Sequence, residues 1–184
     1  MIKIKELSLN VLDIVENSTK AGSSLTKILI DESDELLTIT IKDNGCGMDA
    51  KTLASVKNPF YTSRTTRKVG LGIPLITLAA EQTGGSVIIE SKTIEDFPTE
   101  HGTTLKATFY KKHLDFTPLG DIISTLVTII QGHADRDFLF VHTLNDKEIS
   151  LDTREIREVL GDIPLSEFEV LNWIRDNLSE QYKN

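Results

Sequence analysis

A layered α/β unit followed by a small α+β extension is the fold this sequence predicts, and three patterns predict it. Leu7, Val11, Ile14 and Val15 recur at helical spacing across residues 5–20. Two strand-like runs, Leu25–Asp31 and Leu36–Lys42, flank the acidic connection Asp31-Glu32-Ser33-Asp34-Glu35, which suits a tight antiparallel turn. After a boundary near Lys111-Lys112-His113 the pattern restarts with its own helices and hairpin. A chain of 184 residues is long enough for this division into a main domain, residues 1–112, and an extension, residues 113–184.

The elements follow in order. Asp49–Val56 has the makings of a short helix, and Asn58-Pro59 should stop it. Phe60–Val69 lacks periodicity and is rich in hydroxyls and cations, so a mobile loop is expected there. Gly70-Leu71-Gly72 leads into an apolar helix over 73–82, closed by Gly84-Gly85. Ser86–Ser91 and Thr103–Tyr110 read as two further strands. In the extension, Thr117 is expected to cap a helix with Pro118 in its first turn. That helix should run to Gly132 with Leu119, Ile122, Ile123, Leu126 and Ile130 on one side. Asp137–His142 and Lys147–Leu151 resemble a hairpin joined at Asn145-Asp146. Asp152 with Glu155, and Ser166 with Glu169, have capping-box spacing and predict helices over 153–160 and 167–180. On the second of these, Trp173 is expected on a core-facing stripe with Val170, Ile174 and Leu178.

Composition bounds the partners. With 20 basic against 28 acidic residues the net charge is −8, the wrong sign for general attraction to nucleic acid or an anionic membrane surface. The single cysteine, Cys46, forms no internal disulfide, cannot make a metal site alone, and fits a reducing cytoplasm. Met1–Glu6 has no secretory apolar run, and the greasy stretch Ile122–Ile130 is too short for a bilayer. A soluble cytoplasmic protein is expected. The four histidines, His101, His113, His133 and His142, read as surface or core residues.

Two polar clusters carry the chemistry. On the first helix Asp13, Asn17 and Lys20 share a face, lining up a carboxylate, an amide and an ammonium. The second cluster, Asp43-Asn44-Gly45-Cys46-Gly47-Met48, places a carboxylate where a strand runs into a glycine-broken turn. Asp43 can accept a hydrogen bond from an exocyclic amine, which favours adenine over guanine. Gly45 and Gly47 would let backbone approach a base and sugar closely. Asn17 offers a neutral oxygen to Mg²⁺, and Asp13, one turn earlier, could orient or deprotonate an attacking group. Gly70, Leu71 and Gly72 would present backbone N–H groups at a helix start as a phosphate site. Arg64, Arg67 and Lys68 would add charge there, on a loop able to close as a lid.

On these residues the chain resembles the GHKL superfamily, the ATP-binding fold shared by gyrase, heat-shock chaperone, histidine kinase and MutL proteins. Asp13–Gly22 resembles the N box, Asp43–Gly47 the first glycine box, Gly70–Gly72 the second, and Gly102-Thr103 the last glycine-threonine motif. Asn58–Arg64 is most similar to the histidine kinase branch, whereas Val15–Ser18 and Ala21-Gly22 are more similar to MutL. The resemblance implies a two-layer α/β sandwich, the Bergerat fold, with helices on one face of a mixed sheet and Mg-ATP between the helix layer and the lid. It implies Asn17 as the metal ligand, Asp43 as the adenine reader, and Thr103 as a hydroxyl supporting Asp43 or an ordered water. Asp13 stands where ATPase members have a catalytic Glu and many histidine kinases an Asn. No long histidine-bearing helix precedes the N box in this sequence. The resemblance therefore implies a regulatory ATPase, or a kinase for a partner's serine or histidine, as in the small anti-sigma kinases. The alternative is a non-catalytic adaptor that binds ATP or ADP as a switch, and a homodimer is left open. In the extension, Leu151–Glu158 followed by Leu160–Leu165 resembles tails of small ATPase-like proteins encoded beside iron hydrogenases in anaerobic bacteria.

Overall fold

A computed structural model of the chain describes residues 5–56 and 72–183. Its six strands are β1 (Leu25–Glu32), β2 (Leu36–Asp43), β3 (Ser86–Lys92), β4 (Gly102–Tyr110), β5 (Asp137–Leu144) and β6 (Lys147–Asp152). They form one mixed sheet in the order β3-β4-β2-β1-β5-β6. The acidic connection joins β1 to β2 as an antiparallel pair, with Ile28 opposite Ile41 and Ile30 opposite Ile39. On its other side β1 pairs in parallel with β5, so residues 137–152 continue the sheet begun by residues 25–43.

Alternation along the strands explains why one face of this sheet is covered. Leu37, Ile39 and Ile41 of β2, Leu105, Ala107 and Phe109 of β4, and Phe138 and Phe140 of β5 are buried. Their neighbours in sequence point the other way, where Leu36, Ile88 and Tyr110 are exposed. The covering helices are α1 (Ser8–Lys20), α2 (Ala50–Val56), α3 (Gly72–Gln82), α4 (Ile122–Gly132), α5 (Thr153–Leu160) and α6 (Phe168–Lys183). α1 packs between α3 and α4, and α4 packs on α6. α3 lies against β3 and β4 while α6 lies against β6, so the helix row follows the strand order. The result is a two-layer α/β sandwich. Each large apolar side chain buried between the layers contributes about 1.5–3 kcal/mol relative to exposure.

Three local expectations are corrected. The N-cap of α4 is Asp121, whose carboxylate accepts the Ser124 amide at 2.9 Å, and not Thr117. Upstream, the Pro118 and Leu119 carbonyls accept the Leu7 and Ser8 amides at 2.9 and 2.8 Å. These residues satisfy the start of α1 instead of beginning a helix of their own. Asp152 does cap α5, but through the Arg154 amide, and its carboxylate also holds the Arg154 guanidinium. On α6, Val170, Ile174 and Leu178 face the core as expected, whereas Trp173 is 54% exposed.

Candidate functional site

Asp43 closes β2 and is 9% exposed. Oδ1 accepts the amides of Gly45 at 2.9 Å and Thr103 at 3.2 Å, and Oδ2 accepts the Ser18 hydroxyl at 3.0 Å. Three donors from α1, the turn and β4 thus fix one rotamer. A carboxylate has about four acceptor sites, so Oδ2 retains one for a donor in the cleft. Ser18 lies one residue beyond Asn17 on α1, and its role was legible only once α1 and β2 were packed together.

The turn after Asp43 is locked to the end of α1. Asn44 Oδ1 accepts from the Ser23 hydroxyl and the Ser24 and Leu25 amides at 2.9–3.0 Å. The Cys46 amide donates to the Ala21 carbonyl at 2.9 Å. Packing of the chain gives these glycines a reason of its own, beside the close ligand approach expected from the sequence. A Cβ on Gly45 would lie 2.9 Å from Ala21 Cβ, and one on Gly47, at φ +72°, would lie 1.9 Å from the Lys92 carbonyl oxygen. Both positions exclude a side chain because the protein's own chain passes there. His101 Nδ1 sits 2.6 Å from the Gly45 carbonyl oxygen, a contact to the turn that no spacing pattern announces.

Asp43 opens into a cleft of about 710 Å³, a size typical of small-molecule sites. Ile14, Ile41, Ile73, Ile89 and Leu105 make its apolar walls, with Asn17 and Lys20 on the α1 side and Gly47 and Met48 on the turn side. The Asn17 amide nitrogen is buried with no partner among the described residues. Lys20 is largely exposed and stands 3.8 Å from Glu16, whose other carboxylate oxygen lies 2.7 Å from His133 Nε2. Thr103 lines the cleft, but its hydroxyl pairs with Ser91 Oγ at 2.8 Å, so its support for Asp43 comes from the backbone amide. Asp13 is exposed and lies against the first residue of α3, where a Cβ on Gly72 would be 2.6 Å from Asp13 Cβ. Arg64, Arg67, Lys68, Gly70 and Leu71, with the expected loop at 60–69, lie outside the described residues.

Fold and site together define a protein of the nucleotide-binding α/β sandwich class. Residues 3–113, more than half the chain, match the family described as histidine kinase-, DNA gyrase B-, and HSP90-like ATPase, and the chain belongs to that family. Membership implies ATP binding. Among curated relatives, the sensor histidine kinase CitA of Klebsiella pneumoniae is 31% identical over 85 residues, 45% of this chain and 16% of that protein. Sporulation kinase A of Bacillus subtilis is 27% identical over 110 residues, 60% of this chain and 17% of that one. The matches therefore span about one sixth of these relatives' length. Among solved structures, the N-terminal domain of a DNA repair protein superposes with a TM-score of 0.58 at 18% identity, covering 87% of this chain and 58% of that one. The Aquifex aeolicus MutL ATPase domain complexed with ADP gives 0.56 at 14% identity, covering 85% and 69%. Both are likenesses of fold. No helix among the described residues is long and apolar enough to cross a membrane.

Proposed function

We propose that this chain binds Mg-ATP in the Asp43 cleft and works as a regulatory ATPase or protein kinase on a partner protein. The observation that carries this reading is the Asp43 carboxylate, held by three donors at the floor of an apolar cleft with acceptor capacity left over. Such an acceptor suits the exocyclic amine of adenine and meets a carbonyl in guanine. Asn17, Lys20, Gly45, Gly47, Gly72 and Thr103 frame the rest of the nucleotide in this reading, joined by Arg64 and Lys68 from the segment between the glycine boxes and by Gly70 and Leu71 of the second box.

The donor set is compatible with magnesium. The Asn17 side chain lines the cleft, its amide nitrogen without a partner among the described residues, and its carbonyl oxygen is a hard ligand. Among the described residues no three His, Cys, Asp or Glu side chains cluster as a metal site. Asn17 would therefore share the ion with phosphate and water, and bound Mg²⁺ would neutralise the triphosphate. Asp13, one helical turn away and exposed, would orient or accept a proton from an attacking hydroxyl in this reading.

Titration calorimetry with ATP, ADP and GTP, with and without Mg²⁺, tests the reading. Adenine selectivity is expected, and Asp43→Asn should weaken ATP by about 1.5–3 kcal/mol, the contribution of a hydrogen bond to a charged acceptor. Equal binding of GTP, or an unaffected variant, would overturn it. The exposure of Asp13 and its short side chain favour one second reading, a non-catalytic adaptor switched by ATP or ADP. Loss of turnover with binding kept in Asp13→Ala supports catalysis, and a parent protein without turnover supports the adaptor.

A further inference from the structure

The hairpin-facing helix α5 and the start of α6 enclose a second cavity of about 1010 Å³ at the sheet edge far from the Asp43 cleft. Its floor is Ile156, Leu160 and Val170, and its lips are Val159, Ile163 and Trp173, which are 87, 51 and 54% exposed. Large apolar side chains this exposed and this concentrated are uncommon on a surface with no partner. Tryptophan in particular is the side chain most often found anchoring protein interfaces.

The charges around this groove select its occupant. Glu155, Asp162, Glu167 and Glu169 line it, and no basic side chain does so among the described residues. The two arginines of α5 are engaged elsewhere. Arg154 is held by Asp152, and Arg157 binds the Asp137 carboxylate at 2.8 Å and the carbonyls of Ala134 and Arg136. An apolar trough with an uncompensated acidic rim repels a second copy of a chain whose net charge is −8. It attracts apolar anchors flanked by cations.

We propose that the α5–α6 groove is a docking site for a basic amphipathic helical segment of another protein, with apolar residues at helical spacing seated against Ile163 and Trp173 and its lysines or arginines meeting the acidic rim. This inference does not depend on the nucleotide reading, because the two sites share no residue.

Trp173 is the sole tryptophan of the chain, so its emission reports on the groove directly. The probe is a synthetic amphipathic helix of leucine and lysine, compared with the same peptide carrying glutamate at every lysine. The lysine peptide should shift Trp173 emission to the blue in a saturable, salt-weakened titration, and the glutamate peptide should not. Ile163→Asp, and separately Glu167→Lys combined with Glu169→Lys, should each weaken binding by about tenfold or more. These positions are exposed, and circular dichroism checks that the variants fold. Four results would overturn the proposal: no shift with the lysine peptide, an equal shift with the glutamate peptide, undiminished binding by Ile163→Asp, or concentration-dependent burial of Trp173 without peptide, which would make the occupant a second copy.

Discussion

At the scale of single residues, the chemistry rests on side chains whose hydrogen bonds come from distant parts of the chain. Asp43 was legible as a candidate site residue, proposed above as the adenine reader, because a carboxylate ends a strand before a glycine turn. Its partner Ser18 was not, since a serine inside a helix carries no such signal. Ser18→Ala should therefore weaken ATP by about 1–3 kcal/mol in calorimetry, and an unchanged affinity would mean that the two amides alone hold the rotamer. A second buried network joins the extension to the sheet. His142 Nδ1 lies 2.6 Å from Tyr182 Oη, and its Nε2 lies 3.2 Å from Glu32 Oε2 at an angle poor for a hydrogen bond. Lys111 Nζ completes the set, 2.6 Å from Glu32 Oε1. His142, with Lys111, holds the Glu32 carboxyl below its ordinary value of 4.5, against the opposing effect of burial. Burial, reinforced by the Glu32 charge, pushes the Tyr182 hydroxyl up, so it stays protonated beside His142. Because unfolded Glu32 binds a proton more readily than folded Glu32, its stabilisation is complete above pH 4.5 and is lost as pH falls through the depressed folded value. Thermal melts from pH 6 down to pH 3, about the range of carboxylate titration, should show this loss, and Glu32→Gln should flatten that part of the profile.

At the scale of elements, periodicity located the strands to within a residue or two, because alternation with a single buried face is hard to mimic by chance. Helix starts were less legible. Thr117 and Asp121 are both good N-cap residues, and only the docking of the Pro118 and Leu119 carbonyls onto the α1 amides decides between them. Asp121→Ala should cost about 0.5–2 kcal/mol in denaturant unfolding, while Thr117→Ala should leave the midpoint where it is. The start of α3 offers a sharper test. Gly72→Ala puts a Cβ 2.6 Å from Asp13 Cβ, which forces α3 away from α1 at the mouth of the cleft. Reduced ATP affinity together with a lowered melting temperature is expected, and wild-type affinity would show that the two helices separate without disturbing the site. Trp173 carried the wrong assignment for a related reason. Its three-residue spacing from Val170 is helical, but α6 buries only the side that meets α4 and β6.

At the scale of the whole molecule, β1 has neighbours from both parts of the chain, β2 on one side and β5 on the other. Phe140 on β5 is fully buried opposite Ile28. Phe140→Ala should destabilise by about 3–5 kcal/mol. If the sheet melts as one unit, Trp173 emission and far-ultraviolet circular dichroism will report the same transition. An earlier transition seen by Trp173 alone would give the boundary at residue 112 an energetic meaning. The likeness to two solved structures over 85–87% of the chain, a share larger than residues 1–112 supply, fits a sheet continuous across that point. By itself the sequence determined the layered α/β class, the order of its elements and the family, because alternation, helical spacing and ordered glycine motifs are local and survive without a partner surface. Only the tertiary structure decided which serine steadies Asp43, why Gly45 and Gly47 lack side chains, and that Trp173 faces solvent above an acidic groove. Those facts are contacts between segments far apart in the chain, and such contacts exist only once the layers have packed.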